Sequence, residues 1–251
     1  MVALLSGAAA LTGTILSVPL AATLGGVALF GSVAYIGYKS VPPKAMRASQ
    51  FLNQQISIED LLSLDEKIVR VVVVGASQSG KSTFLKRAQH RSAVPSRTNT
   101  VRAEMLMLPG DPPHYVALLD ADGKEYVQQF EVSKEADFLI LFVDHNASSV
   151  ESLKSDERLA DHDRFIEQIE PVIKRGTRLA RLHLLFNKRD LWEAGQQSSE
   201  LEQWFQNHVA AWKRIQVANE LTFSIHSNNN AQDMAGMMEN IRDFVADRNK
   251  A

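Results

Sequence analysis

The 251-residue chain has no cysteine, which excludes disulfides and cysteine-ligated metals and suits a reducing compartment. It has almost no net charge: 27 Lys and Arg against 29 Asp and Glu leave −2 at pH 7. So even a balance gives no electrostatic reason to expect a nucleic-acid partner. The sharpest lack is local. From Met1 to Tyr38 there is no Asp, Glu, Lys, Arg or His at all.

That uncharged run exceeds the roughly 20 apolar residues a membrane helix needs. Pro19 sits midway, and Gly25, Gly26, Gly31 and Gly37 are frequent, as in membrane helices. A single tilted span from Leu20 to Tyr38 and a hairpin turning at Ser17-Val18-Pro19 both fit. The missing basic n-region argues against a cleaved signal peptide. Lys39, Lys44 and Arg47 follow the run, and no acid appears before Glu59. By the positive-inside rule the rest of the chain then faces the cytoplasm. The expected organisation is a transmembrane anchor in the lipid bilayer over residues 1–38, a juxtamembrane connector over 39–67, and a folded domain over 68–251. Val41-Pro42-Pro43 stops any helix leaving the membrane.

From Ile68 onward, short apolar runs alternate with helical periods, the pattern of an α/β domain with a mainly parallel sheet. Six strands are expected, at 68–75, 101–108, 115–121, 137–144, 180–187 and 221–227. The second and third flank the turn "PGDPPH" and so form an antiparallel pair. Helices are expected at 81–90, 158–175, 198–215 and 232–247.

Three motifs carry chemistry. "VVVVGASQSGKST" contains Gly75-x-x-x-x-Gly80-Lys81-Ser82 between an apolar strand and a helix. A loop of this kind wraps a β-phosphate with backbone N–H groups, glycine permits the close approach, and the helix N-terminus adds positive potential. Its candidate contacts are Gly75, Ser77, Gln78, Ser79, Gly80, Lys81, Ser82 and Thr83, with Lys81 reaching the β- and γ-phosphates and the Ser82 hydroxyl ligating Mg²⁺. "LLDADGKEYV" then places Asp120 at a strand end and Gly123 at the spacing Asp-x-x-Gly, which senses a terminal phosphate. "LLFNKRDLW" places Asn187-Lys188-x-Asp190 after another strand. The Asp190 carboxylate can accept from guanine N1–H and the N2 amine, a donor pair adenine lacks. Asn187 would tie this loop to the phosphate loop, and the stem of Lys188 would cover the base.

In this order and spacing, residues 68–249 resemble a Ras-like or Arf-like small GTPase of the translation-factor-related class. The resemblance implies a P-loop GTPase fold, GTP or GDP with Mg²⁺ as cofactors, and a protein effector or GTPase-activating partner. By the same analogy Ser227-Asn228-Asn229 stands in for the family's Ser-Ala-Lys loop, matching only at the serine. Thr100, preferred over Thr98 by its spacing from Gly75, becomes the switch threonine that joins Ser82 and Asp120 around Mg²⁺. A membrane span ahead of an Arf-like domain is also similar in architecture to the β-subunit of the signal-recognition-particle receptor.

One residue departs from the family. Where Ras-like enzymes carry a water-orienting glutamine, this chain has Lys124, which cannot accept a hydrogen bond when charged. Arg97, three residues before Thr100, resembles the arginine that Gα subunits supply in cis. The expectation is a membrane-anchored GTP-binding switch with slow or partner-stimulated hydrolysis. The alternative is a permanently liganded structural subunit, and Asp190 opposes an ATP-driven enzyme.

Overall fold

The apolar runs 71–74, 105–108, 115–119 and 138–143 all lie in strands, and the longer amphipathic stretches form helices. The computed structural model describes residues 46–52, 54–88, 102–109, 113–120, 126–175, 179–216 and 218–250. The chain divides into two compact units, Met1–Ala45 and Met46–Ala251, and all the described residues belong to the second. The expected anchor lies outside them. Among the described residues no helix is long and apolar enough to cross a membrane.

In chain order the elements are a 3-10 turn (Ala48–Phe51), β1 (Gln55–Ile56), α1 (Ile58–Leu62), β2 (Val69–Gly75), α2 (Lys81–Ala88), β3 (Arg102–Leu108), β4 (His114–Asp120), α3 (Tyr126–Ser133), β5 (Phe138–Val143), α4 (Asp156–Arg175), β6 (Arg181–Phe186), α5 (Arg189–Trp192), α6 (Ser198–Ile215), β7 (Glu220–Ile225) and α7 (Ala231–Lys250). They form one sheet in the order β1-β3-β4-β2-β5-β6-β7. β3 and β4 are antiparallel, in register from Arg102 opposite Asp120 to Leu108 opposite His114. The ladders joining β4, β2, β5, β6 and β7 are all parallel.

β2 and β5 are apolar on consecutive positions because helices cover both their faces. Val72 and Val74 point into one core with Leu139, Leu141, Phe165 of α4 and Trp212 of α6. Val71 and Val73 point into the other with Phe84 of α2 and with Met234, Met237, Ile241 and Phe244 of α7. The period of two along each strand thus feeds two cores.

The sheet has seven strands rather than the expected six. The addition is β1, whose Gln55 and Ile56 pair antiparallel with Glu104 and Ala103 of β3. Two residues carry no alternation period, so no sequence pattern marks them. Their surroundings show that the segment expected as a connector is built into the domain from Met46 onward. Leu52 bridges Met105, Met46 bridges Leu64, and Ala48, Ile56 and Leu61 are buried in the core. β1 therefore covers the β3 edge, which would otherwise present unpaired backbone groups. α1, α3 and α5 were not anticipated either. Runs of eight residues or fewer are too short to display a helical period, and α2, equally short, was expected because it follows the glycine-rich motif.

Candidate functional site

Parallel strands deliver their carboxyl ends to one side of the sheet, and the candidate residues follow those ends. Gly75 closes β2, Asp120 closes β4, Asp144 follows β5, Asn187 follows β6, and Ser227 lies just beyond β7. The chain leaves β2 toward β4 on one side and returns to β5 on the other. A strand order that reverses in this way opens a crevice outside the carboxyl ends, where open α/β sheets bind ligands.

The phosphate loop turns tightly between β2 and α2, with φ of +141° at Gly75, +65° at Gln78 and +100° at Gly80. A Cβ on Gly75 would stand 2.3 Å from the Phe142 carbonyl, so only glycine fits there. Lys81 Nζ donates to the Gly75 carbonyl at 2.7 Å and the Ala76 carbonyl at 3.0 Å. Ser77 is half-buried, Gln78 is exposed, Ser79 is buried, and Thr83 is half-buried on α2. Ser82 Oγ lies 3.3 Å from Asp120 Oδ2 and donates to it. A hydroxyl beside a carboxylate at the mouth of this loop is an oxygen pair of the kind Mg²⁺ takes together with phosphate oxygens.

The loops after β6 and β7 are fastened to the Gly75–Ser82 loop by two carboxamides. Asn187 Nδ2 donates to the Ser79 carbonyl at 2.8 Å, and Asn228 Nδ2 to the Gly80 carbonyl at 2.8 Å. Asn228 N–H donates to Asn187 Oδ1 at 3.3 Å, joining the two. At the rim, Asp190 Oδ1 accepts from Ser227 Oγ at 2.6 Å and Oδ2 from Asn229 Nδ2 at 2.9 Å. Burial works to raise the Asp190 pKa, but the bonds from Ser227 and Asn229 outweigh it and keep the carboxyl below its usual range. Arg87 of α2 holds the same loop through the Asn228 carbonyl and, at 3.0 Å, Asn229 Oδ1. So Asn228 and Asn229 serve here as tethers.

Lys188 adopts a left-handed conformation at φ +62° as it leads into α5. Its ammonium is turned inward, 2.7 Å from Asp144 Oδ2, and donates to the carbonyls of Asn146 at 2.6 Å and Ser148 at 2.9 Å. Asp144 is fully buried and was not singled out from the sequence. Its Oδ1 accepts from Arg158 Nε at 2.6 Å and lies 2.9 Å from His162 Nε2. Burial alone would raise its pKa. The His162 hydrogen bond and the charges of Arg158 and Lys188 win, and the carboxyl stays ionised well below the usual range. A clue was available in the sequence: Asp144 ends an otherwise apolar strand, where an acid needs a partner.

α3 touches the phosphate loop directly. Gln129, fully buried, accepts from the Gly75 N–H at 2.7 Å, and nothing in its spacing signals that contact. Arg97, Thr98, Thr100, Gly123 and Lys124 lie outside the described residues. His145, His162, His183 and His226 are all buried, and among the described residues no group of His, Cys, Asp and Glu could hold a metal ion.

Neither a protein-family model nor a curated protein matches this sequence. Solved structures do match. The Arl6 (BBS3) small GTPase from Trypanosoma brucei, with the bound nucleotide analogue GppNp, superposes with a TM-score of 0.53 at 16% identity. That match covers 72% of this chain and 98% of the small GTPase. The fold is that of the P-loop GTPases. The bacterial selenocysteine-specific elongation factor EF-Sec shares it at TM-score 0.52 and 14% identity, over 72% of this chain and 29% of its own. The GDP-bound RocCORdC of Methanosarcina barkeri Roco2 is matched at 0.49 and 17%, over 72% of this chain and 49% of its own. This chain thus spans under a third of the elongation factor and about half of the Roco protein. At such identities the P-loop GTPase fold is what the likeness conveys.

Proposed function

We propose that this protein is a membrane-anchored guanine-nucleotide switch that binds GTP and GDP with Mg²⁺. The observation that carries the reading is the Asn187 carboxamide on the Ser79 carbonyl, which sets the Asn187-Lys188-x-Asp190 loop beside the phosphate loop. A phosphate cradle and a carboxylate suited to guanine then lie at one end of the sheet. Ser82 and Asp120 would hold the cation, with Thr100 as a further ligand. Mg²⁺ in that position neutralises charge on the phosphate oxygens. The γ-phosphate and Mg²⁺ would set the arrangement of residues 92–100 and 122–135, the second of which includes α3 with Gln129 against the loop, and so display a surface to a protein partner. Lys124 in place of glutamine supports slow intrinsic hydrolysis, stimulated by a partner. The uncharged residues 1–38 with the basic flank behind them support an anchor and a cytoplasmic domain.

The test is a competition assay on the full-length protein. GTP and GDP should displace a fluorescent guanine nucleotide, and ATP should not. Asp190→Asn should weaken guanine binding and shift preference toward xanthine, whose 2-oxygen accepts from the new amide. Equal ATP and GTP affinity in the wild type would sink the assignment. Nucleotide that survives purification and never exchanges would instead mark the structural-subunit alternative.

A further inference from the structure

Behind the two binding loops lies a buried ionic cluster whose Asp144 and Arg158 the proposed chemistry does not use. Asp144, 0% exposed, meets two cationic side chains, Arg158 and Lys188. One carboxylate cannot neutralise both, and backbone carbonyls supply the remaining acceptors. Lys188 donates to those of Asn146 and Ser148 beside the base-reading loop. Arg158 donates through Nη2 to the carbonyl of Ser77, in the phosphate loop, at 2.8 Å. Its Nε is meanwhile 2.6 Å from Asp144 Oδ1. The planar guanidinium holds these two acceptors in one fixed geometry, which an ammonium cannot do.

Such a cluster is costly as a packing device, since apolar residues of similar volume fill a core at least as well. It does define geometry. In a planar trans peptide the C=O and the following N–H point in opposite directions. By holding the Ser77 carbonyl toward α4, Arg158 fixes the opposite heading of the Gln78 N–H, at a residue already in the left-handed region. We propose that Arg158 is a positioning residue for the nucleotide. It clamps the phosphate loop at Ser77 and, through Asp144, couples that loop to the base-reading loop at Lys188.

This rests on the reading of the crevice as a guanine-nucleotide site, and the experiment separates the two. Full-length protein is loaded with fluorescent GDP, and dissociation is followed after a chase with excess GDP. Arg158→Lys keeps a cation that can pair with Asp144 but cannot also span to Ser77. Its GDP dissociation should be about tenfold faster, equivalent to about 1.4 kcal/mol, with the thermal midpoint of the nucleotide-free protein lowered only by the loss of the single Ser77 bond. Asp144→Asn should also speed dissociation, and the double variant should fall well short of the product of the single effects, as expected for members of one network. An unchanged rate in Arg158→Lys overturns the clamp, as does a faster rate matched by a midpoint lowered by more than that one bond. Single effects that multiply overturn the coupling through Asp144. If Asp144→Asn does not fold, the Arg158→Lys rate decides alone. Wild-type protein that retains no GDP would instead refute the nucleotide site itself.

Discussion

Adding a single methyl group at Gly80 should be among the most damaging small changes in this protein. Its φ of +100° is strained for any L side chain, and strain of that kind costs of order 1–3 kcal/mol. The new Cβ would stand 2.2 Å from Asn187 Nδ2 and 2.7 Å from Asn228 Nδ2. Both amides would have to move, and both make the 2.8 Å bonds that tie the loops after β6 and β7 to the Gly75–Ser82 loop. Two lost hydrogen bonds at ~1 kcal/mol each bring the expected loss to about 3–5 kcal/mol. With a urea dependence of about 1–3 kcal/mol per molar, the unfolding midpoint of Gly80→Ala should fall by about 2 M. Gly236 supplies the control, because a Cβ there meets nothing within 4 Å on helix α7. Gly236→Ala should stabilise by about 0.5–1 kcal/mol from helix propensity. The same atom would then act with opposite sign at two glycines. Equal midpoints for the two variants would refute the account of Gly80.

Three further outcomes are expected. Burial, with the nearby charges of His226 and Arg181, lowers the His183 pKa from 6.5 to about 4. Below pH 6.5 the unfolded chain binds a proton that the folded protein refuses. Stability should therefore be fully present above that pH and fall by about 3 kcal/mol toward pH 4, and His183→Gln should flatten the slope. Single-turnover GTP hydrolysis should be slow and little changed by Lys124→Ala, whereas a loss of about 10³-fold or more in Arg97→Ala would assign that arginine to catalysis. Carbonate extraction should leave the full-length chain in the membrane pellet, and its release into the soluble fraction would refute the anchor.

The legibility of the structure follows the range of each interaction. The central strands could be read to within a residue or so, because β2 and β5 are apolar at nearly every position and are bounded by polar or glycine residues. The long helices α4, α6 and α7 were visible for the same reason: each runs through several turns, so its buried stripe repeats. The strand β1 and the helices α1, α3 and α5 were not legible. They are held by what they pack against, as when Ile56 enters a core made by residues far along the chain.

The candidate site divides in the same way. The Gly75–Ser82 loop and the Asn187–Asp190 loop could be recognised because each is a local string whose spacing is set by the ligand's own geometry. Sequence also supplied the uncharged N-terminal run and the lysine at 124, since both are statements about residue type at a position. Tertiary structure decided which side chains hold those loops in place. Arg158 reaches back to Ser77, Gln129 to Gly75, and Asn228 to Gly80, across 81, 54 and 148 residues. No periodicity spans such separations. These contacts exist because parallel strands bring their carboxyl ends to one side of the sheet, where buried polar groups must find partners from whichever element lies nearest.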